Sequence, residues 1–583
     1  MSMHRSYCFL LGLGVVLSSF CLAQTRGPGR VAGSPTSGSA GTQRSNTPSG
    51  LGSHSANDEG KLEFRTQATL VQVPVVVTDK AGSHIHGLTK DDFQVLENGK
   101  EQKLATFEEL TATNSKLPAV ALKPGQFGNL SLSDQQPRTV TVIALDTVNT
   151  PFLDQTYGRR QLVKYLASSV EPGQVLALMI ITSHGLRIVQ GLTGDSEHLL
   201  QVLKKVTGAM PDMQSVDIDA QADAAAGDTP DIPSISTDPT AAIDAFVERG
   251  DAIYAQFQQQ NAIETTLNSF QAIAWSLSGI PGRKALIWAT GGFPFAIGSP
   301  DAVPGGYLST LYERTMNALS AAQISVYPVD VRGLVYASPM GDASKSRMPT
   351  TRQMNNRAWL QQSTLDTLNE FADMTGGKAF YNTNDLAGSF RRAADDASSY
   401  YLIGYYLDAK NDKAGWRSLK VKVDKKNTEV RARKGFFVTN ATLHAESNRN
   451  AELFYALGTP IEGTGVPIVV EWTGVTGDGD KKKAAFLAHV PSNALSFDPA
   501  VANKLDFDFA IVAFAEKDGK QAAHFNFNFS KPIPDAQLAA WQTNGLGVRN
   551  ALELASGKYV VRFVVRDNIT GKVGSVTAPL TVN

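Results

Sequence analysis

An apolar run that ends in an acid constrains the fold of this chain more than any other feature. Residues 139–150 read TVTVIALDTVNT, and Asp146 follows the apolar run directly. A run of this kind before a helical segment is typical of a parallel strand that is buried on both faces. Ligands of open α/β sheets bind at the carboxyl ends of such strands, so Asp146 is the first candidate functional residue.

The segments around this run alternate between strand and helix patterns. Further strands are predicted at residues 174–182, 186–192, 284–289, 323–331 and 378–381. Helices are predicted at residues 153–170, 195–206, 241–278, 307–322, 357–374 and 384–398. This alternation predicts a doubly wound, Rossmann-like parallel sheet with right-handed crossovers, which we assign to residues 138–398. Residues 210–240, which are rich in Asp, are expected to be a solvated acidic insertion in this domain.

Alternating patterns on either side of the α/β domain predict a β module. Residues 61–112 contain the alternating segment 70–79 and the hairpin signal Asn98-Gly99. Residues 399–439 contain three more alternating segments, and we expect them to pair with the first set. Residues 113–137, which contain several Pro and Gly, are expected to be a polar connector.

The C-terminal part of the chain has the period of a β domain throughout. After a polar linker at residues 440–451, residues 452–583 carry at least six short alternating segments separated by turns. This pattern predicts an all-β, immunoglobulin-like sandwich. Phe525, Phe527 and Phe529 are two apart, so we expect them to share one face and to pack in its core.

The N-terminus has the pattern of a secretory signal peptide. Arg5 precedes a short apolar stretch, and small residues end at Ala23. We therefore expect residues 1–23 to be removed during export to the periplasm or the cell exterior. Residues 24–60 are rich in Gly, Ser, Thr and Pro and are expected to be a disordered linker, because they cannot bury enough apolar surface to fold.

Composition excludes several classes of function for the mature chain. Cys8 and Cys21 both lie in the predicted signal peptide, so we expect no disulfide, no Cys nucleophile and no Cys-ligated metal. The formal net charge is −1, which gives no reason to expect nucleic acid or an anionic membrane as partner. No other segment has the length of apolar sequence that a membrane span needs. A protein partner is the expectation that remains.

The order of these segments resembles the von Willebrand factor A-related family that is common among secreted proteins of acidobacteria. The matching segments are VPVVVTDKAGSHIHGLTKDDFQVLENGKEQKLATFEEL, TVTVIALDTVNTP, KALIWATGGF, QISVYPVDVRGL, YYLIGYYLD and VRARKGFFV. The resemblance covers roughly residues 62–438 and implies a von Willebrand factor A-type domain there. The predicted C-terminal sandwich lies outside it.

The resemblance implies a metal-ion-dependent adhesion site, in which an Asp-x-Ser-x-Ser loop provides oxygen ligands to Mg²⁺. Here the loop is Asp146-Thr147-Val148-Asn149-Thr150, whose third residue has no side-chain oxygen. The family's Thr-Asp-Gly loop reads Thr290-Gly291-Gly292, so its Asp is missing. Because Mg²⁺ requires near-octahedral oxygen coordination, we expect a degenerate site that binds no metal.

Three interpretations of Asp146 follow. It is expected to accept backbone N–H bonds as a cap of the next helix or turn. Alternatively, a weak Mg²⁺ site persists, with Asp146, Thr150 and Asp330 as its ligands. The third interpretation is a metal-free polar binding crevice lined by Asp146, Asn149, Thr150, Thr290 and Asp330.

The sequence carries no recognised catalytic motif. It has no Gly-x-Ser-x-Gly elbow, no His-Glu-x-x-His and no phosphate-binding loop. Ser183 and His184 are adjacent, and neighbouring side chains on an extended chain point apart. His84 and His86 are expected to be exposed loop residues. We predict a secreted, non-enzymatic protein-binding or scaffolding protein without a cofactor; a Mg²⁺-dependent adhesin and an exported hydrolase are the alternatives.

Overall fold

The computed structural model describes most of the chain after residue 69. The described ranges are 70–111, 122–129, 139–168, 174–206, 239–293, 307–334, 351–407, 415–438, 446–459, 461–477, 479–498 and 501–583. The predicted signal peptide and disordered linker lie outside these residues, and so do residues 210–238 of the acidic insertion.

Strands and helices are numbered along the described residues. The strands are β1 (Leu70–Asp79), β2 (Phe93–Glu97), β3 (Lys100–Gln102), β4 (Leu104–Thr111), β5 (Gln126–Gly128), β6 (Thr139–Asp146), β7 (Gln174–Thr182), β8 (Gly185–Thr193), β9 (Lys284–Thr290), β10 (Ile324–Asp330), β11 (Ser399–Tyr406), β12 (Gly415–Val423), β13 (Thr428–Arg431), β14 (Gly435–Val438), β15 (Val469–Thr476), β16 (Lys481–Val490), β17 (Lys504–Ala515), β18 (Gln521–Pro532), β19 (Leu546–Ala555), β20 (Gly557–Asp567) and β21 (Val573–Val582). The helices are α1 (Phe152–Ser168), α2 (Ser196–Val206), α3 (Pro239–Leu277), α4 (Tyr307–Ala321), α5 (Thr351–Thr375), α6 (Leu386–Asp396), α7 (Glu446–Gly458) and α8 (Asp535–Asn544). Short 3-10 turns lie at Lys90–Asp92 and Ser492–Ala494.

A five-stranded sheet with helices on both faces forms the α/β part of the chain. Its strand order is β10-β9-β6-β7-β8, and the first four strands are parallel. Alternate residues of β6 enter two cores: Val142 and Ala144 pack on the side of α3, α4 and α5, and Ile143 and Leu145 on the side of α1, α2 and α6. Burial on both faces explains why β6 is apolar from Val142 to Leu145.

Two predicted strands of this sheet differ in the structure. The segment predicted at residues 186–192 forms β8, which pairs antiparallel with β7 and is largely half-buried. Only Ser183 and His184 separate β7 from β8, which is too short for a parallel crossover and sufficient for a hairpin. The segment predicted at residues 378–381 contributes a single parallel bridge, between Phe380 and Val329.

Two four-stranded sheets form the β module next to the α/β sheet. One has the order β13-β1-β11-β4 and the other β14-β12-β2-β3, so strands from residues 70–111 pair with strands from residues 399–438. Val73, Val95 and Ile403 are fully buried in the core that these sheets share. The module is therefore closed by pairing across some 300 residues of sequence, as the register of Leu70 with Tyr406 shows.

A buried ion cluster around Asp396, at the end of α6, joins the β module to the α/β sheet. Its carboxylate accepts hydrogen bonds from Tyr327 on β10 (2.5 Å) and from Arg431 on β13. Arg283, which precedes β9, lies 3.6 Å from the same carboxylate and donates to the main-chain oxygens of Asp396 and Gly376. Each charge in this cluster has a partner of opposite charge, which burial requires.

The C-terminal domain is built from two antiparallel four-stranded sheets. Their orders are β19-β16-β15-β5 and β18-β17-β20-β21, and side chains of both meet in one core that includes Phe486, Phe509 and Phe563. Phe525, Phe527 and Phe529 do share one face of β18, half-buried against this core.

Three features of this domain correct the sequence prediction. The expected connector at residues 113–137 supplies β5, which pairs with β15, and Asn129 after it donates to the Gly463 and Val466 main-chain oxygens. Helix α7 occupies much of the expected linker, and α8 lies inside the segment predicted to be all β. Both helices are short, and their tertiary contacts rather than a clear periodicity fix them. No helix in the described ranges has the length and apolarity to cross a membrane.

Lys284 is a buried cation at the start of β9. Its side chain is on the side of Leu286 and Trp288, it is 2% exposed, and its Nζ donates to the Ile280 main-chain oxygen. Burial lowers the pKa of Lys284 to about 7. The folded state therefore binds fewer protons than the unfolded state between about pH 7 and the ordinary lysine value, so this group makes stability rise with pH across that window.

Replacing Lys284 by Met should remove this pH dependence. We expect Lys284→Met to have a higher free energy of unfolding than the wild type at pH 7, because the cost of holding a buried lysine is absent. The advantage should shrink by about 2 kcal/mol at pH 9, at ~1.4 kcal/mol per pKa unit. Urea unfolding at both pH values measures it. The exposed Lys420→Met is the control, and equal pH dependence in all three proteins would contradict the expectation.

Candidate functional site

The carboxyl ends of three neighbouring strands bring most of the predicted site residues together. Asp146 ends β6, Thr290 ends β9 and Asp330 ends β10, and Thr290 is in register with Asp330. The loop from Thr147 to Thr150 leaves β6 and leads into α1. The parallel arrangement of these strands is what places one loop and two strand ends at the same edge of the sheet.

Asp146 is the centre of a closed hydrogen-bond network. Its Oδ1 accepts from the backbone N–H groups of Val148 and Asn149, both at 3.0 Å. Its Oδ2 accepts from Asn149 Nδ2 at 2.7 Å and from Trp288 Nε1 at 2.9 Å, and Thr290 Oγ1 lies 3.0 Å away. The carboxylate is 2% exposed, so these protein donors replace water around it.

The protonation of Asp146 reflects two opposing effects. Burial raises its pKa, because a charged carboxylate is poorly solvated in the interior. The hydrogen bonds from Asn149, Trp288 and Thr290 act in the opposite direction, since they favour the ionised form. Burial is the larger effect, and the pKa is raised overall.

The other polar residues of this edge are also bonded to the protein, although the buried Asn149 Oδ1 has no hydrogen-bond partner among the described residues. Thr150 Oγ1 accepts from the Gly291 backbone N–H at 2.8 Å, and Thr290 Oγ1 lies 2.7 Å from the Gly292 carbonyl oxygen. Asn149 Nδ2 also donates to Thr266 Oγ1 at 2.9 Å, which fixes the loop against α3. Asp146, Asn149, Thr150, Thr290 and Asp330 are all buried, so they line no open crevice.

Asp330 forms a local ion pair with Arg332. Both of its oxygens accept from the guanidinium of Arg332, at 2.9 and 2.7 Å, and Oδ1 also accepts from the Arg332 backbone N–H at 3.0 Å. The pairing is local, since only Val331 separates the two residues. Asp330 therefore has an internal cation where the adhesion-site hypothesis would need a metal ion.

The residues at this edge do not fit a bound Mg²⁺. Four N–H groups direct their hydrogens at the Asp146 oxygens, and Arg332 occupies those of Asp330. Val148, at the third loop position, is packed in the apolar core. A hard cation needs about six free oxygen ligands, and each of these carboxylate oxygens already faces a donor. Within the described residues, no group of three or more His, Cys, Asp or Glu side chains is placed to hold a metal.

The network also resolves the capping interpretation of Asp146. Its Oδ1 does accept backbone N–H bonds, but from Val148 and Asn149 in the loop rather than from the first turn of α1, which begins at Phe152. The bonds form a side-chain turn of the kind that Asp makes two and three residues ahead of itself. Asp146 therefore shapes the loop that precedes the helix.

Several residues that build the site were not identified from the sequence. Trp288, Thr266 and Gln155 all contribute: Gln155 Nε2 donates to the main-chain oxygens of Thr147 and Thr150, at 3.2 and 2.8 Å. Trp288 carried a usable signal, because a buried Trp needs an acceptor for its N–H. Thr266, on α3, is remote in sequence and carried no such signal.

A small cavity lies beneath the loop. It is lined by Leu145, Asp146, Thr147, Thr150, Gln155, Gly158, Arg159, Ala289 and Val331. The space is enough for about one water molecule. The cavity is too small to hold a substrate molecule.

The histidines considered from the sequence lie away from this edge or are exposed. Ser183 and His184 occupy the exposed turn between β7 and β8, and Ser183 Oγ is 3.2 Å from His184 Nδ1. The turn brings together two side chains that an extended chain would separate. His86 Nδ1 is 2.8 Å from Glu109 Oε1, and His84 Nε2 is 3.3 Å from the Asp395 main-chain oxygen.

The similarity of this chain to known proteins is weak. No family model and no curated protein matches the chain. Among solved structures it is similar to the conserved hypothetical protein BatB from Bacteroides thetaiotaomicron, with 12% identity over 44% of this chain and 98% of that one, at a TM-score of 0.20. It is also similar to the N-terminal domain of TFIIH p34, with 14% identity over 44% and 96%, at a TM-score of 0.19. At these TM-scores neither likeness carries an argument about this chain.

Asp146→Asn tests the closed network. The Asn amide group must point its NH₂ either at the two backbone donors or at Asn149 Nδ2 and Trp288 Nε1. Because buried donors then face a donor, we expect the free energy of unfolding to fall by about 3 kcal/mol. Urea unfolding measures this loss. The control is Asp91→Asn at an exposed site, which should change stability little; an equally small effect at Asp146 would contradict the network.

Proposed function

We propose that this chain is a secreted, non-enzymatic protein-binding protein that binds its partner without a metal ion. In this proposal the five-stranded sheet and its helices form a von Willebrand factor A-type domain, and the C-terminal sheets form an immunoglobulin-like sandwich. The parallel order of β10, β9, β6 and β7 with helices on both faces, and the sequence resemblance, support the first assignment. Export rests on the sequence of residues 1–23.

The observation that carries the proposal is the combination of a sealed polar network with exposed apolar side chains beside it. The buried acids at the carboxyl end of the sheet are fully engaged. Leu153, however, is 80% exposed at the start of α1, and Phe152 and Leu334 are each 54% exposed. Exposed apolar side chains grouped at one site are typical of protein–protein contacts.

Leu334 and Tyr157 are held close together because both are bonded to Asn384. The Leu334 backbone N–H donates to Asn384 Oδ1 at 3.1 Å, and the Tyr157 hydroxyl donates to the Asn384 main-chain oxygen at 3.2 Å. Tyr157 lies one turn after Leu153 on α1, on the same side of the helix. We call Phe152, Leu153, Tyr157 and Leu334 the apolar edge patch. It occupies the place where ligands bind in open α/β sheets.

The patch gives a direct binding test. We expect Leu153→Asp with Leu334→Asp to lose a partner that the wild type retains from the secreted proteins of its own source, because each charge would have to be desolvated in the interface. Pull-down with quantitative mass spectrometry measures the loss. The matched control is Val475→Asp with Val501→Asp, which alters exposed apolar residues elsewhere.

Two outcomes would count against the binding proposal. A partner retained equally by the patch variant and the control variant would place binding elsewhere on the protein. Equal loss from both variants would indicate a general effect of charge. Circular dichroism of both variants must match the wild type, since a patch variant that unfolds would lose its partner for another reason.

The metal-dependent adhesin alternative has its own test. A ligand that binds only the native state raises stability by RT ln(1 + [L]/Kd), about 2.7 kcal/mol at one hundred times Kd. We expect no rise in unfolding temperature on adding millimolar Mg²⁺, Mn²⁺ or Ca²⁺ after EDTA treatment. A rise that Asp146→Ala abolishes would restore the adhesin, whereas a rise insensitive to Asp146 would point to another metal site, such as the acidic insertion.

One contact favours the hydrolase alternative. Ser183 and His184 are within hydrogen-bond distance on an exposed turn. The described residues place no carboxylate within hydrogen-bond distance of the His184 ring, which a Ser-His-Asp arrangement needs. Turnover of peptide or polysaccharide libraries that Ser183→Ala abolishes would overturn the non-enzymatic proposal.

A further inference from the structure

Strand β18 of the C-terminal domain is an edge strand with unusual length and composition. It spans twelve residues, and in its sheet it pairs with β17 alone. Between Ala522 and Ser530 it contains no Lys, Arg, Asp, Glu, Pro or Gly. An edge of this kind offers a row of main-chain donors and acceptors to another strand.

The other edge strands of the same domain are protected. Edge β5 is three residues long. Edge β19 carries the exposed charges Arg549 and Glu553, and edge β21 carries the exposed Pro579. Short length, charged side chains and proline prevent edge strands of natural sheets from pairing with other chains. Within the described C-terminal domain, β18 is thus the long edge whose residues 522–530 lack them, since its exposed Lys531 and Pro532 lie at one end of the strand.

The sequence of β18 is self-complementary. Phe525-Asn526-Phe527-Asn528-Phe529 reads the same in both directions. If two copies pair antiparallel about a two-fold axis through Phe527, each Phe525 lies opposite the Phe529 of the other copy, and each Asn526 lies opposite an Asn528. Every Phe then faces Phe on one side of the sheet, and every Asn faces Asn on the other side.

The side chains have the right exposure for this pairing. The three Phe rings are half-buried against their own core, with Phe527 5.6 Å from Phe509 and Phe529 5.2 Å from Phe507 between ring centroids. His524, Asn526 and Asn528 are exposed on the opposite face. Pairing would cover the remaining Phe surface, and cross-strand aromatic pairs and apolar burial both favour it.

We propose that two copies of this chain associate through β18, which pairs antiparallel with itself and joins the two C-terminal sheets into one. The partner is a second copy because the sequence pattern matches its own reverse. This surface is separate from the apolar edge patch, so the inference does not depend on the proposed function. A dimer would present two α/β domains and two edge patches at once.

Sedimentation velocity of the full chain over a range of concentrations tests the proposal. We expect a concentration-dependent monomer–dimer equilibrium. Asn526→Lys with Asn528→Lys should weaken association by about tenfold or more, because antiparallel pairing would set lysines of the two copies directly opposite. The new lysine at position 528 would lie beside Asp508, to which Asn528 Nδ2 now donates at 2.8 Å, so the fold should persist.

The control is Asn550→Lys with Gln542→Lys, which adds the same charge at exposed positions outside β18. It should leave the dissociation constant unchanged, and thermal unfolding should show that both variants are folded. Hydrogen exchange should also slow in residues 525–529 as wild-type concentration rises.

Three results would overturn the proposal. The first is a wild type that stays monomeric at every concentration. The second is a dimer that the β18 variant and the control affect equally, which would place the interface elsewhere. The third is protection of β18 amides only when a different protein is added, which would make this edge a site for another chain.

Discussion

The burial of one carboxylate at the end of the central strand organises the α/β part of this protein. Asp146 lies on β6, which has parallel neighbours on both sides, and its charge cannot reach water there. Donors must therefore come from the protein, and they come from the following loop and from Trp288 and Thr290 on β9. The same bonds set the shape of the loop that leads into α1. The start of this helix, with its exposed Leu153, thus depends on the network beneath it.

How much of this could be predicted from sequence differs between elements for physical reasons. The sequence predicts strand β6 and its end at Asp146, because an apolar run before a helix has few other interpretations. The orientation of β8 was wrong, although the two-residue spacing to β7 contained the answer. Strand β5 was missed because three residues carry no period, and their pairing with β15 links segments more than 300 residues apart. Local pattern identifies elements, whereas partners remote in sequence decide which short segments become ordered.

The same distinction applies to the candidate site. The sequence identified Asp146, Asn149, Thr150 and Thr290 as neighbours, since parallel strands end at a common edge. It did not show the direction of the bonds. Whether a carboxylate faces outward to a ligand or inward to donors depends on Trp288 and Asn149, which satisfy it in this structure. Likewise, Asp330 looked like a substitute ligand by position, but Arg332 two residues later neutralises it.

Buried charges form different contacts at the two ends of the α/β sheet. Asp396 is bonded to residues of two modules, whereas Asp146 is bonded within one. At the amino end, Asp396 joins elements of the β module and the sheet, so separating them would leave Arg431 on β13 without this partner. At the carboxyl end, Asp146 is engaged within the α/β unit and ties it to no other module. The buried charges at the amino end therefore hold the β module and the sheet together, and the carboxyl end is the surface to which the proposed function assigns binding. Since its charges are already satisfied, the binding proposed for this end would depend on shape and apolar contact, with the exposed side chains at the start of α1 and after β10 as the determinants of specificity.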